Sequence, residues 1–169
     1  MIKLLMTVKN KNPGKDNNSG RSKQVVGWRE WIGLPDLGLP PIKAKIDTGA
    51  RVSALHAFRI RLFQTGDNPY VEFFVHPVQH RKNPEFRCTA PLLDERYIRS
   101  SNGRRELRFV VETNLRIGSM IAPIELTLTN RDEMGFRMLV GRQALRKHFI
   151  VDPGRSYCHL ATFSTPTDQ

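Results

Sequence analysis

Residues 41–55 read Pro-Ile-Lys-Ala-Lys-Ile-Asp-Thr-Gly-Ala-Arg-Val-Ser-Ala-Leu and are the most informative stretch of the chain. We expect one strand to deliver Asp47 at its end and a second strand to begin beyond Gly49. Glycine suits the turn between them because it permits unusual backbone angles and a close approach of the backbone to a partner. The hydroxyl of Thr48 can hold such a turn rigid through hydrogen bonds to the backbone. This stretch therefore predicts one carboxylate at the apex of a tight turn between two apolar strands.

A β-hairpin is predicted near the middle of the chain. Residues 96–100 and 106–111 are β-rich, and the segment between them contains Asn102-Gly103. Asn-Gly is the strongest short-range signal for a hairpin, because a two-residue turn of this type needs positive φ at both positions. Alternation of apolar and polar residues over 124–129 predicts a further half-buried strand.

Glycine and proline recur too often along the chain for long helices. Another short β-rich run occupies residues 71–75, and only residues 143–148, after Gly141, look helical. We therefore predict an all-β domain, a closed or partly open barrel, with one short C-terminal helix.

Composition sets the limits of the domain and its charge. The chain has 169 residues, with 27 Lys and Arg against 16 Asp and Glu, a net charge of +11. Residues 9–23 contain no apolar side chain, so we expect residues 1–23 to form a disordered basic arm, residues 24–163 the folded domain and residues 164–169 a tail. Such a positive surface favours acidic partners.

The chain is expected to be cytoplasmic and to have no membrane partner. No window approaches eighteen uncharged apolar residues, and Lys9 and Lys11 interrupt the apolar start before a signal peptide could form. Cys88 and Cys158 lie far apart and are expected to be reduced thiols.

A single Asp-Thr-Gly triplet has a consequence for catalysis. Amide hydrolysis by carboxylates works well with a pair, because two carboxylates about 3 Å apart share one proton. The ionised member then activates water while the protonated member polarises the carbonyl. Since this chain holds only one such loop, a dyad requires a homodimer with the two acids at a two-fold axis.

Two motifs together resemble the aspartic peptidases, in particular the single-domain retropepsins. The first is Asp47-Thr48-Gly49-Ala50, and the second is residues 138–145, Met-Leu-Val-Gly-Arg-Gln-Ala-Leu. With the segments 26–30, 45–57 and 99–103, they also resemble a bacterial family long described as ATP-dependent zinc proteases but regarded as retropepsin-like, some members of which are associated with glutamate-ligating enzymes. The match spans about residues 25–152, and it implies a barrel of the acid-protease type.

The resemblance implies roles for individual residues. Asp47 would be the catalytic carboxylate, with Thr48, Gly49 and Ala50 completing the active-site loop. Arg142, preceded by Gly141, would support that loop, and Ser101, Asn102 and Gly103 would form the tip of a flap over the substrate.

One position departs from the pattern. Arg51 stands where viral retropepsins often have an acid that pairs with the arginine corresponding to Arg142. Another acid, for which Glu30 is a candidate, would then have to take over.

The family's older description predicts zinc and ATP, and the residues give little support to either. His76 and His80 are four apart, but no glutamate base stands between them and Pro77 disfavours the helix that would align them. His56 is as readily a cleft or dimer residue as a ligand. The segment around Gly14-Lys15 lacks the remaining P-loop residues. We therefore predict no cofactor and no metal site, and keep a zinc-dependent peptidase only as a minor alternative.

Two functions of different class remain open. The first is an aspartic peptidase acting on a peptide or glutamyl amide bond, with a peptide or protein substrate that the charge suggests is acidic. The second is a non-catalytic basic β-barrel that binds nucleic acid or another polyanion; it ranks lower because no aromatic-rich RNA-binding strand is present. Asp47 alone could be an ordinary turn residue, and Asp152-Pro153-Gly154 reads as a plain β-turn rather than a second catalytic loop.

Overall fold

The computed structural model describes residues 22–99, 103, 105–130 and 135–160. Most of the predicted basic arm, the tail and the flap residues Ser101 and Asn102 lie outside the described residues. Within them the chain is almost entirely β-structure. Its strands are β1 (Gln24–Gly27), β2 (Arg29–Ile32), β3 (Ile42–Asp47), β4 (Ser53–His56), β5 (Phe58–Thr65), β6 (Asn68–Val75), β7 (Phe86–Arg99), β8 (Arg105–Ile117), β9 (Met120–Thr129), β10 (Met138–Gly141) and β11 (Phe149–Asp152).

Helical structure in the described residues is limited to two short segments. A 3₁₀ turn covers Pro35–Leu37, and one α-helical turn, α1, covers Arg142–Leu145. The sequence predicted the position of α1 but extended it to His148, whereas residues 146–148 form a turn that leads into β11.

Nine strands form one sheet in the order β2-β3-β10-β4-β9-β8-β7-β6-β5, and β1 pairs in parallel with β11 in a second sheet. Of the two predicted forms, a closed or a partly open barrel, the closed form is wrong, because no sheet closes into a barrel among the described residues. The large sheet ends in β2 on one side and β5 on the other. The region after β2 is linked to β8 by an isolated bridge between Gly33 and Arg116 and by the backbone N–H of Asn114, which donates to the carboxylate of Asp36 at 2.7 Å. The long strand β7 pairs with β6 and β8, and β8 pairs with β7 and β9, so these two strands form the middle of the run from β9 to β5.

The hairpin predicted around Asn102-Gly103 is confirmed in its strands. β7 pairs antiparallel with β8 from Arg99 opposite Arg105 down to Leu92 opposite Val111. Gly103 has φ +81°, the left-handed conformation that glycine adopts readily. The hairpin is much longer than its sequence signal, since β7 and β8 have 14 and 13 residues.

The strand pattern of β3 explains how Asp47 reaches the surface. Ile42, Ala44 and Ile46 are buried in the core, and the residues between them point away from it. Because side chains alternate along a strand, Asp47 leaves the core face as β3 ends, and it is half-buried.

Glu30 is fully buried on β2, and its carboxylate ties the segment after β11 to β1. Oε1 accepts hydrogen bonds from the backbone N–H groups of Gly27, at 2.7 Å, and Cys158, at 2.9 Å, while Oε2 accepts one from His159 at 3.2 Å. Such a carboxylate satisfies three backbone donors that would otherwise lack partners.

We expect Glu30→Ala to lower the free energy of unfolding by about 3 kcal/mol, because buried donors lose their acceptor and a void remains. The peptide bond after Arg155 should also become sensitive to trypsin, because the segment that follows it would no longer be held by Glu30. Chemical denaturation and limited proteolysis measure the two effects. Glu112→Ala, which removes an exposed glutamate from β8, is the control and should change neither; an unfolding midpoint equal to that of the wild type would contradict this role of Glu30.

Candidate active site

The loop that carries Asp47 connects two strands that are not neighbours. β3 and β4 are separated by β10, which runs parallel to β3 and antiparallel to β4. Gly141, the last residue of β10, is paired with Asp47 itself. The loop 48–52 therefore crosses over the end of β10, and α1, which follows β10, lies directly against this loop.

The Asp47 carboxylate is oriented by its own loop. Its Oδ1 accepts hydrogen bonds from the backbone N–H groups of Gly49, at 3.0 Å, and Ala50, at 3.1 Å. Among the described residues Oδ2 receives no hydrogen bond. Oδ1 is thus held in place by the loop, and Oδ2 is available to a molecule that approaches the exposed loop.

Residues 142 and 143 bind four consecutive carbonyl groups of the same loop. The guanidinium Nη1 of Arg142 donates to the carbonyls of Thr48, at 2.8 Å, and Gly49, at 3.0 Å. The backbone N–H of Arg142 donates to Ala50, and that of Gln143 donates to Arg51. Since the carbonyls are held toward α1 while the amides of Gly49 and Ala50 point to Asp47, the loop has little freedom to turn the carboxylate away.

Ser53 completes this support from β4. Its hydroxyl oxygen accepts the N–H of Gly141 at 3.1 Å, and its carbonyl accepts the hydroxyl of Thr127 at 3.0 Å. Ser53 is buried. Sequence reasoning missed this residue, because a serine in a short strand carries no signal of its own; its importance depends on β10 lying beside it.

Arg142 does not need the acidic partner that the sequence led us to seek. Glu30 is engaged by backbone groups of Gly27, Cys158 and His159 and not by Arg142. The bonds of Arg142 in the described structure go to carbonyl oxygens, which accept from a guanidinium as a carboxylate does. The side chain of Arg51, which stands at the position of the acid in viral retropepsins, is exposed.

The candidate flap lies on the same hairpin as β7 and β8. Of its three predicted residues only Gly103 is described, and it is exposed.

In the loop that follows Asp47, Thr48 and Gly49 are at the surface and Ala50 is partly buried. Asp47, the loop and Arg142 are thus brought together.

The histidines and cysteines do not form a metal centre in the described part of the chain, where no group of three possible ligands occurs. His56 is buried in β4, and His76 lies against Phe58 and Glu85. Cys88 is buried, and burial raises the pKa of its thiol to about 11. Burial, with the nearby Glu30 carboxylate, also raises the pKa of Cys158.

None of the helices in the described part of the chain has the length and apolar character that crossing a membrane requires.

The Asp-Thr-Gly loop crosses the end of β10, whose last residue, Gly141, is followed by Arg142. These are the two motifs by which the sequence resembles retropepsins, and they define the class of retropepsin-like proteins. The chain belongs to the RimB-like family, whose model, described as the retropepsin-like aspartic endopeptidase RimB, matches residues 25–162.

Relatives with larger chains share the same region. A protein of Shewanella pealeana named a probable alpha-L-glutamate ligase is 44% identical over 137 residues, which cover 81% of this chain and 30% of that protein. A protein of the same name from Parasynechococcus marenigrum is 47% identical over 135 residues, 80% of this chain and 29% of its own. The chain therefore spans about 30% of the length of these relatives.

A solved structure has a similar fold. A Legionella pneumophila protein of unknown function is 28% identical, with a TM-score of 0.69, and the similarity covers 81% of this chain and 98% of that one.

Proposed function

We propose that this chain is an aspartic peptidase that hydrolyses a peptide or glutamyl amide bond with a dyad of two Asp47 carboxylates, one from each chain of a homodimer. The observation that carries the proposal is the state of Asp47: one carboxylate oxygen is held by two backbone N–H groups, and the other is not bonded within the described residues. The loop is exposed at Thr48 and Gly49, so a second copy can reach it.

The reaction follows from what two facing carboxylates can do. The ionised Asp47 takes a proton from a water molecule, and the water oxygen attacks the carbonyl carbon of the scissile amide. The protonated Asp47 of the other chain donates its proton to the carbonyl oxygen. Collapse of the tetrahedral intermediate, with proton transfer to the nitrogen, releases a carboxylic acid and an amine.

The proposed substrate is an acidic peptide. The net charge of +11 favours acidic partners at long range. The ligase name of the relatives also supports a glutamyl bond, since a hydrolase domain joined to a glutamate ligase would meet the bond that the ligase forms. Peptides of consecutive α-linked glutamates are therefore the first substrates to test.

A subunit-dilution experiment tests whether the site is shared between chains. If wild-type protein is mixed with an equal amount of Asp47→Asn and allowed to exchange subunits, only half of the wild-type chains remain paired with each other, so hydrolysis should fall to about half. A threefold excess of the variant should leave about a quarter.

Asp152→Asn is the matched control, because Asp152 also accepts the N–H of the glycine two residues on but lies in a different turn. Mixing wild type with this variant should cause no loss. Activity per wild-type chain that is unaffected by excess Asp47→Asn would rule out a shared dyad.

A further inference from the structure

Glu125 on β9 is bonded to a cation of the flap hairpin. The guanidinium of Arg96, on β7, donates from Nη1 to Oε2 at 2.5 Å and from Nη2 to Oε1 at 3.2 Å. Its third donor, Nε, bonds the carboxylate of Asp94. The ion pair thus joins β7 to β9 across the intervening strand β8, and it uses the paired geometry by which arginine recognises a carboxylate.

The same carboxylate lies beside the loop that carries Asp47. Glu125 lines a cavity of about 180 Å³ together with Ser53, Pro123, Ile124, Gln143 and Ala144. Two of these neighbours hold the catalytic loop region, since Ser53 binds Gly141 and the N–H of Gln143 binds Arg51. Arg51 is also near enough for its charge to act on Glu125, and Arg96 and Arg51 both help to hold the pKa of Glu125 below its ordinary value.

The pair is accessible to solvent. The side chains of Arg96 and Glu125 are 35% and 33% exposed. Exposed ion pairs add little net stability because water and salt compete for both partners. Another carboxylate could therefore replace Glu125 at the guanidinium without any unfolding of the strands.

We propose that Glu125 occupies the place of an acidic substrate side chain, and that Arg96 is a specificity-determining residue that exchanges Glu125 for a substrate carboxylate. The proposal rests on the proposed function, because it assumes that an acidic peptide enters between the hairpin and the Asp47 loop. No bond is made or broken in the exchange. One charge-assisted contact replaces another, and Glu125 turns toward solvent and Arg51.

A peptide without a carboxylate at this position would not compete for Arg96. The ion pair between Arg96 and Glu125 then remains intact, so the site selects acidic side chains over neutral ones. If Glu125 only repelled acidic peptides, its effect on binding would not depend on Arg96. The exchange instead makes the effects of Glu125 and Arg96 depend on each other.

Equilibrium binding tests the exchange separately from hydrolysis. Fluorescence anisotropy is measured with a labelled peptide of consecutive glutamates and with its glutamine counterpart, using Asp47→Asn protein so that the peptide is not consumed. In this background Arg96→Gln should weaken binding of the glutamate peptide about tenfold, and Glu125→Gln should tighten it about threefold or more. The glutamine peptide should respond to neither substitution.

The matched control is Glu112→Gln, which removes the same charge from the residue directly opposite Glu125 on β8. It should tighten binding less than Glu125→Gln does. In the double variant, Glu125→Gln should have no effect once Arg96 is glutamine, since the two residues act as one pair.

Equal effects of Glu112→Gln and Glu125→Gln, or tightening that persists without Arg96, would overturn the exchange, and so would failure of the glutamate peptide to bind. The peptidase proposal fails by a different result: a wild-type chain that binds with the expected pattern but releases no product. If the chain hydrolyses the peptide but binding does not depend on Arg96 and Glu125 as expected, the peptidase proposal stands and the exchange is wrong.

Discussion

Replacing Asp47 by asparagine should reduce peptide hydrolysis by about three orders of magnitude or more while leaving the fold intact. The amide oxygen of asparagine can still accept the N–H groups of Gly49 and Ala50, which Oδ1 of Asp47 accepts now. An amide cannot take a proton from water at neutral pH, however, so the chemical step is lost. The measurement is the rate of product release from a glutamate-rich peptide, with circular dichroism and thermal unfolding as tests of folding.

Asp152→Asn provides the comparison for this substitution. Asp152 closes its turn by accepting the N–H of Gly154 at 2.9 Å, much as Asp47 accepts that of Gly49. The two variants therefore make the same chemical change in similar turns, and only Asp47→Asn should lose activity. Residual hydrolysis near the wild-type rate in purified Asp47→Asn would remove Asp47 from the catalytic role.

Gly141→Ala should reduce both stability and activity, with a loss of about 3 kcal/mol in the free energy of unfolding. A Cβ at this position would lie 2.6 Å from the carbonyl carbon of Val52, 2.7 Å from its oxygen and 3.0 Å from the carbonyl oxygen of Arg51. These neighbours are backbone atoms of the segment that leaves the Asp47 loop, so they cannot move aside as a flexible side chain would. Relief requires β10 to separate from the loop.

The same substitution should lower hydrolysis, because that separation weakens the hydrogen bonds from residues 142 and 143 to the loop. Urea denaturation and peptide hydrolysis measure the two losses. Gly135→Ala is the matched control: nothing lies within 4 Å of a Cβ there, and no positive φ would strain an alanine. Indistinguishable unfolding midpoints for the two variants would show that the loop tolerates the extra methyl group.

The sequence predicted local structure correctly where a few consecutive residues determine the backbone conformation. Asn102-Gly103 between two β-rich runs predicted the hairpin, and alternation over 124–129 predicted part of β9. The turn residues after Asp47 predicted the break between β3 and β4. In each case a few consecutive residues restrict the backbone, so the information lies within one short stretch.

Barrel closure could not be predicted in the same way. Whether β2 and β5 meet depends on the curvature accumulated over all nine strands, and no single segment encodes it. The role suggested for Glu30 failed for a related reason. A buried glutamate accepts whichever donors the packing brings to it, and those donors are in β1 and in the segment after β11.

The sequence by itself determined the all-β class, the single Asp-Thr-Gly loop and the order of the two motifs, because these depend on residue type and short-range spacing. Only the tertiary structure decided that β10 lies between β3 and β4, that Arg142 binds the carbonyls of Thr48 and Gly49, and that Arg96 reaches Glu125. These contacts join residues separated by 29 to 94 positions. Their energy arises only when the whole sheet has brought the partners together.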